Sequence, residues 1–384
     1  MKVLIVCNNA YLRGNGICTA VLSLVRRLKE RGVEARIMAC ENPDPSGPQP
    51  EYPLKHFKIP FFESIIDSNG FMFAKFDEET ATQAIKWADV IHLSEGFPLE
   101  AQTVRLAKKL GVPCVGTYHL LTENITANLG LGKSWLLNHL LTLWWRKSVY
   151  DHCKYVHCPT EMVRRYLTEN GFKSELRVIS NGIDIPNLET PHFIQQGETI
   201  NILCVGRLAR EKSQDTLLKA MQHSKYAYKI QLHFAGKGPY LKKYQRMAEN
   251  LLHEGVIIHT PIFGFHTHEE LKELTRNSYL YIHCAWVEVE GLSCAEALLE
   301  GAVPVIADGR LTASSQFALD DRSIFPEFNE EALAERIDWW IEHPQKRIEM
   351  GCKYAESIKN YDARGTTDQM IRMYEDCIKK GCQN

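Results

Sequence analysis

The sequence has no run of about 18 uninterrupted apolar residues, so no part of it reads as a membrane-spanning helix. It has little net charge. Lys and Arg total 45 against 47 Asp and Glu, a balance of −2, so no global basic character points to nucleic acid. C-x-x-C is absent although there are 12 cysteines, and 384 residues is too long for a small disulfide scaffold. The scattered thiols read as small buried side chains in a reducing cytosol. Cys153 and Cys158, with His152 and His157 beside them, match no common zinc spacing. The N-terminus does not read as a signal peptide: Met1-Lys2 is followed by VLIV and then Cys7-Asn8-Asn9, too short for an apolar h-region.

What is present is a globular composition, 45% apolar and 24% charged, over a length that suggests two or three domains. Val3–Val6 reads as a buried strand of a parallel sheet. Arg13-Gly14-Asn15-Gly16 follows, then apolar residues at helical spacing from Ile17 to Leu28, ended by Gly32. Gly14 and Gly16 would let the backbone approach a ligand at the helix start. Ala35–Ala39 is the second strand, and residues 42–53, with five prolines, read as loop. Val90–Leu93 and Pro113–Tyr118 are strands, and Leu99–Leu110 is a helix. His119 stands at a strand's carboxyl end, where open α/β sheets bind ligands. Residues 133–149 read as helix, Cys153–Cys158 as strand, Glu161–Glu169 as helix and 186–198 as a polar linker. A second series begins at Ile200–Val205. Strands are expected at Leu232–Ala235, Val256–Ile258 and Leu280–His283, and helices at Leu217–Met221 and Glu269–Asn277. The predicted class is α/β with two doubly wound units.

The chain is organised around Trp286–Ala307, WVEVEGLSCAEALLEGAVPVIA. Glu288 and Glu296 lie eight positions apart around Gly291-Leu292-Ser293, and a helix is expected to open at Ala295, with Glu296 in its first turn. A helix start preceded by small residues suits a phosphate. This stretch resembles the Glu-x7-Glu signature of retaining glycosyltransferases of the GT-B fold, family 4, usually E-G-F-G-L-P-x-x-E-A. Here Val289 and Glu290 replace Gly-Phe and Ser293 replaces Pro, while Gly291, Leu292, Glu296 and Ala297 keep the pattern. The variant E-V-E-G-L-S looks like the branch that glucosylates or galactosylates membrane lipids. G-R-x-x-x-x-K at Gly206–Lys212 resembles the family's diphosphate-binding pair, G-T-Y-H its cleft histidine, and VISNGID its interdomain junction.

The resemblance implies two Rossmann-like domains facing each other across a cleft. Residues 1–186 with a crossing helix at 362–384 would form the acceptor side, and 187–361 the nucleotide-sugar side. Arg207, Lys212 and the helix start after Gly291 would hold a diphosphate, Glu296 a ribose, Glu288 and the Gly291-Leu292-Ser293 backbone the donor sugar, and Gly14 and Gly16 the sugar-phosphate. His119 would contact the sugar. His119 and Glu288 would be the catalytic pair. No Asp-x-Asp occurs, so cationic side chains would do a metal's work, and no divalent metal or other cofactor is expected beyond a UDP-sugar donor.

Trp135, Trp144 and Trp145, with Leu136, Leu137, Leu140, Leu141 and Leu143 between Lys133 and Arg146-Lys147, suit a segment lying in a lipid interface. A second aromatic and lysine cluster spans Lys55–Phe62 and Phe71–Phe76. The expectation is a hexosyltransferase acting on a lipid hydroxyl, diacylglycerol or ceramide, at the inner face of the cell membrane. Alternatives are a saccharide acceptor, a sugar-nucleotide 2-epimerase and a non-catalytic partner subunit of the same fold.

Overall fold

The structure is a computed structural model that describes residues 1–12, 14–60, 63–185 and 197–381. Arg13 of the glycine loop, Phe61 and Phe62 of the aromatic cluster, and residues 186–196 of the expected linker lie outside the described residues. The chain forms two compact units. The first holds Met1–Gly182 and Ala363–Asn384, and the second Ile183–Asp362.

The first unit is built on seven strands: β1 (Lys2–Val6), β2 (Glu34–Cys40), β3 (Tyr52–Leu54), β4 (Val90–Leu93), β5 (Cys114–Thr117), β6 (Tyr155–Cys158) and β7 (Glu175–Val178). Their order is β3-β2-β1-β4-β5-β6-β7, and every pairing is parallel. Val3, Leu4, Ile5 and Val6 are fully buried, as expected of a strand covered on both faces. β3 corrects the expected loop: Pro53 sits in the edge strand, where its missing N–H leaves no ladder bond unmade. The helix Ala363–Gly381 belongs to this unit. It buries Met370, Met373, Tyr374 and Cys377 in the same core as β1, and Arg31 pairs with Asp368 at 2.5 Å.

The second unit has six strands: β8 (Ile200–Val205), β9 (Ile230–Ala235), β10 (Ile262–Gly264), β11 (Leu280–His283), β12 (Pro304–Asp308) and β13 (Ile324–Pro326). All are parallel, in the order β10-β9-β8-β11-β12-β13. Val256–Ile258 is not the expected strand. Gly255, at φ 71°, ends the helix Leu241–His253, and the N–H groups of Val256 and Ile257 turn back to the Leu251 carbonyl. Helix closure consumes the donors a sheet ladder would need, so the strand forms at Ile262 instead.

Candidate active site

In the second unit the carboxyl ends of β8, β9 and β11 carry the charged residues. Gly206 follows β8, and a Cβ on Gly236 would stand 2.0 Å from its carbonyl oxygen. A Cβ on Gly238 would stand 2.3 Å from the Leu208 oxygen. Backbone thus lies on backbone, and only glycine allows that approach. The loop then turns through Arg210–Lys212, with Ser213 at φ 46°.

Lys212 hydrogen-bonds Glu288 through Nζ and Oε2, and His283 Nε2 lies 3.4 Å from the same oxygen. Backbone bonds fix Glu288 on both sides, from its N–H to Leu311 O at 2.9 Å and from Ala313 N–H to its carbonyl at 2.8 Å. Burial alone would push the Glu288 carboxyl up. The Lys212 charge, helped by nearby His283, outweighs it and holds the carboxyl at about 2. At neutral pH Glu288 is therefore an acceptor of hydrogen bonds and not an acid.

Arg207 pairs with Glu211 at 2.5 Å, and Glu211 is fully buried. Glu211 also ties this loop to the signature stretch, since its carbonyl accepts from Trp286 N–H at 3.1 Å. The sequence reading missed Glu211, although its i,i+4 spacing from Arg207 was a usable signal. It also missed His283.

The helix after Gly291 runs Leu292–Leu299, three residues earlier than expected, so Glu296 lies in its second turn. Gly291 has φ 88°, and a Cβ there would meet Ser314 Cβ at 2.8 Å, so both conformation and space demand glycine. The first N–H groups of this helix have no intrahelical acceptor. Ser293 Oγ lies 3.1 Å from Tyr281 OH. Glu296 is half-buried and, among the described residues, its carboxylate makes no hydrogen bond. Burial pushes its carboxyl up, His268 opposes that and Asp184 adds to it.

In the first unit Gly14 adopts φ 81°, and Asn15, unnoticed in the sequence, caps the helix Gly16–Glu30 by accepting from Ile17 N–H at 2.9 Å. A Cβ on Gly16 would meet nothing within 4 Å, so no crowding requires glycine there. His119 is half-buried just beyond β5. Burial, then His157 and His92, hold its imidazole well below the usual range, and it is neutral. Its ring meets His157 edge-on at 6.2 Å between centroids.

The helix Trp135–Ser148 is inverted. Trp135 is 71% exposed, Leu136 60%, Leu140 53% and Trp144 43%, while its buried positions include Asn138, Thr142 and Ser148. The polar side finds partners inside: Thr126 donates to Asn138 Oδ1 at 2.7 Å, and Thr142 Oγ1 lies 2.9 Å from Tyr166 OH. Lys133 and Lys147 are exposed at its two ends. Two expected surface residues are corrected. Trp145 is buried against Phe97 and Tyr118, at 5.6 and 5.9 Å between ring centres. Arg146 is half-buried and donates to Asn170 O at 2.6 Å. The second aromatic cluster also turns inward: Phe71 and Phe73 pack on Phe97 at 5.3 and 5.1 Å, while Phe57 stays exposed. No helix of the described residues is long and apolar enough to cross a membrane.

Comparison with known proteins agrees with this architecture. The family model for glycosyl transferases group 1 matches residues 189–357, and that for glycosyltransferase family 4 matches residues 14–186. The alpha-monoglucosyldiacylglycerol synthase of Streptococcus pneumoniae is 25% identical over 323 residues, 80% of this chain and 71% of its own length. The catalytic domain of cholesterol-alpha-glucosyltransferase from Helicobacter pylori is 41% identical over 42% of this chain and 99% of that one, with a TM-score of 0.38. Sucrose-phosphate synthase from Thermosynechococcus elongatus shares the fold over 99% of both chains, at 16% identity and a TM-score of 0.74.

Proposed function

The chain belongs to the family 4 glycosyltransferases of the GT-B fold, and from that premise we propose that it moves glucose or galactose from a UDP-sugar to a hydroxyl of a membrane lipid, diacylglycerol or ceramide, with retention at the anomeric carbon. Arg207, Lys212 and the helix start at Gly291 bind the diphosphate and stabilise the charge that grows on the leaving nucleotide. Their cations take the place of a divalent metal. Glu296 accepts from the ribose hydroxyls. Glu288, ionised at working pH, accepts from the donor sugar, and neutral His119 contacts the transferring sugar without adding charge. The protein works as a peripheral enzyme at the cytoplasmic face of the membrane.

The inverted helix carries the lipid reading. A solvated helix turns apolar residues inward; this one turns Trp135, Leu136, Leu140 and Trp144 outward between two lysines. Such a face suits the boundary of an anionic bilayer, where each side chain gains about 1.5–3 kcal/mol if fully buried. The Streptococcus pneumoniae relative is named for a diacylglycerol product. A lipid acceptor cannot leave the bilayer cheaply, at roughly 0.8 kcal/mol per CH₂, so the enzyme comes to it.

The test is co-sedimentation with anionic vesicles containing diacylglycerol, coupled to transfer from UDP-glucose and UDP-galactose. Wild type pellets with the vesicles. Trp135→Ser/Trp144→Ser, at exposed positions, folds normally, remains in the supernatant and transfers roughly tenfold more slowly. Wild type that stays in solution, or that works equally well on a soluble saccharide, turns the reading to a polysaccharide-assembly enzyme.

A further inference from the structure

Four buried polar side chains, from four separate elements of the first unit, form one hydrogen-bonded line. Tyr374 OH, in the helix Ala363–Gly381, lies 2.5 Å from His92 Nδ1 on β4. His92 Nε2 lies 2.7 Å from Thr117 Oγ1 on β5. Thr117 Oγ1 lies 3.0 Å from His157 Nδ1 on β6, and His157 Nε2 lies 2.5 Å from the Ile179 carbonyl oxygen.

The proton positions follow from valence alone once the imidazoles are neutral. Burial pushes His92 down to about 3 and His157 down to about 4, the latter against the Ile179 carbonyl, so both are neutral near pH 7. A carbonyl only accepts, so His157 carries its hydrogen on Nε2 and accepts at Nδ1. Thr117 must then spend its single hydrogen on His157. It has only an acceptor left for His92, so His92 carries its hydrogen on Nε2. That leaves His92 Nδ1 as an acceptor for the tyrosine hydroxyl. Every donor in the line points the same way, from the C-terminal helix to Ile179. Reversing one link would leave two donors or two acceptors face to face.

Two members of the line, His92 and His157, face a small cavity that is also lined by His119, Ser94, Ser180 and Asn181, among others. Thr117 stands two residues before His119, and Ile179 immediately before Ser180. We propose that Tyr374, His92, Thr117 and His157 are positioning residues, a one-way relay that holds His119 and the Ser180–Asn181 wall of this cavity in place for sugar transfer. The proposal rests on the reading of His119 as a sugar-contacting residue. The relay ties that residue to the seating of a helix that begins 244 positions later in the chain (119 to 363).

The experiment uses full-length protein with nitrogen-15 in its histidines. Wild type, Thr117→Val, Thr117→Ser and Tyr374→Phe are compared by long-range proton–nitrogen spectra and by steady-state kinetics. Wild type shows His92 and His157 protonated on Nε2 alone. Thr117→Val keeps the shape of the side chain without its hydroxyl. It loses that fixed tautomer pattern and lowers kcat about tenfold, with the KM for donor changed less than about twofold. Thr117→Ser restores both readouts, and Tyr374→Phe disturbs His92 alone. An Nδ1-protonated imidazole at either position in wild type overturns the relay, as does wild-type kcat in Thr117→Val. The spectra need no turnover, so a protein that transfers no hexose defeats the proposed function while the tautomers still decide the relay.

Discussion

The two units handle charge in opposite ways. The second keeps charges and pairs them: Lys212 with Glu288, Arg207 with buried Glu211, and a Glu288 carboxyl held at about 2. The first pairs charges at its surface but removes them inside. Burial neutralises His92, His119 and His157, pushes the Glu95 carboxyl up to about 7 and turns a helix's apolar face to the outside. One unit sets out paired charges and the other buried neutral groups. In the proposed reaction these would meet a nucleoside diphosphate and the hydroxyls of sugar and lipid.

The comparison breaks most visibly at Lys212. Lys212→Ala removes one preset cation and leaves Glu288 with His283 as its neighbour, so the fold persists. Turnover falls about a hundredfold or more, the scale of losing a charge-stabilising donor. Arg207→Ala lowers turnover comparably, but it also strands Glu211 as a buried, unpaired charge, and its melting temperature falls. Steady-state rates and thermal melts on the two variants check this. Near-normal turnover in Lys212→Ala would remove the diphosphate role.

These differences between the units were unequally legible in the sequence. The inner strands of both sheets stand out as apolar runs, because parallel strands are buried on both faces, whereas the edge strands β3, β7, β10 and β13 carry no such run. The glycine loops and the Glu288–Glu296 spacing are local patterns and were read directly. The orientation of the helix Trp135–Ser148 was not readable. Its apolar arc is wide, and what turned it was the need of Asn138 and Thr142 for partners at Thr126 and Tyr166, which tertiary packing alone supplies. Trp145 was misplaced for the same reason. The relay from Tyr374 to Ile179 was invisible because its members come from four segments, with 282 positions between His92 and Tyr374.

Glu296 is the exception within the charged unit, since burial pushes its carboxyl up and, among the described residues, no hydrogen bond compensates. A pair of ligand hydroxyls would supply the missing bonds. Glu296→Gln is therefore expected to weaken binding of free UDP by roughly tenfold, about one charged hydrogen bond. His119→Ala, in the other unit, lowers kcat and leaves UDP affinity unchanged. Calorimetric titration of UDP into both variants sharpens the contrast, and unchanged affinity in Glu296→Gln would take away the ribose role.

The last contrast tests charge removal in the first unit. Glu95 and Glu100 are buried side by side and share Asn8, whose Nδ2 donates to Glu95 at 2.8 Å and to Glu100 at 3.2 Å. Burial raises both carboxyls, and the neighbouring Glu95 raises Glu100 further. Raised carboxyls bind more protons in the folded state than in the unfolded one. The stability they lend is thus fully present below the ordinary carboxyl range, is lost as pH rises through about 7, and is flat above that. The loss is on the order of 3 kcal/mol for the Glu95 shift. Glu95→Gln mimics the protonated carboxyl, so urea unfolding of this variant between pH 5 and 8 should show a shallower fall in stability than wild type. Parallel pH curves would mean that the pair carries its charge after all, and the first unit would then lose its claim to differ from the second.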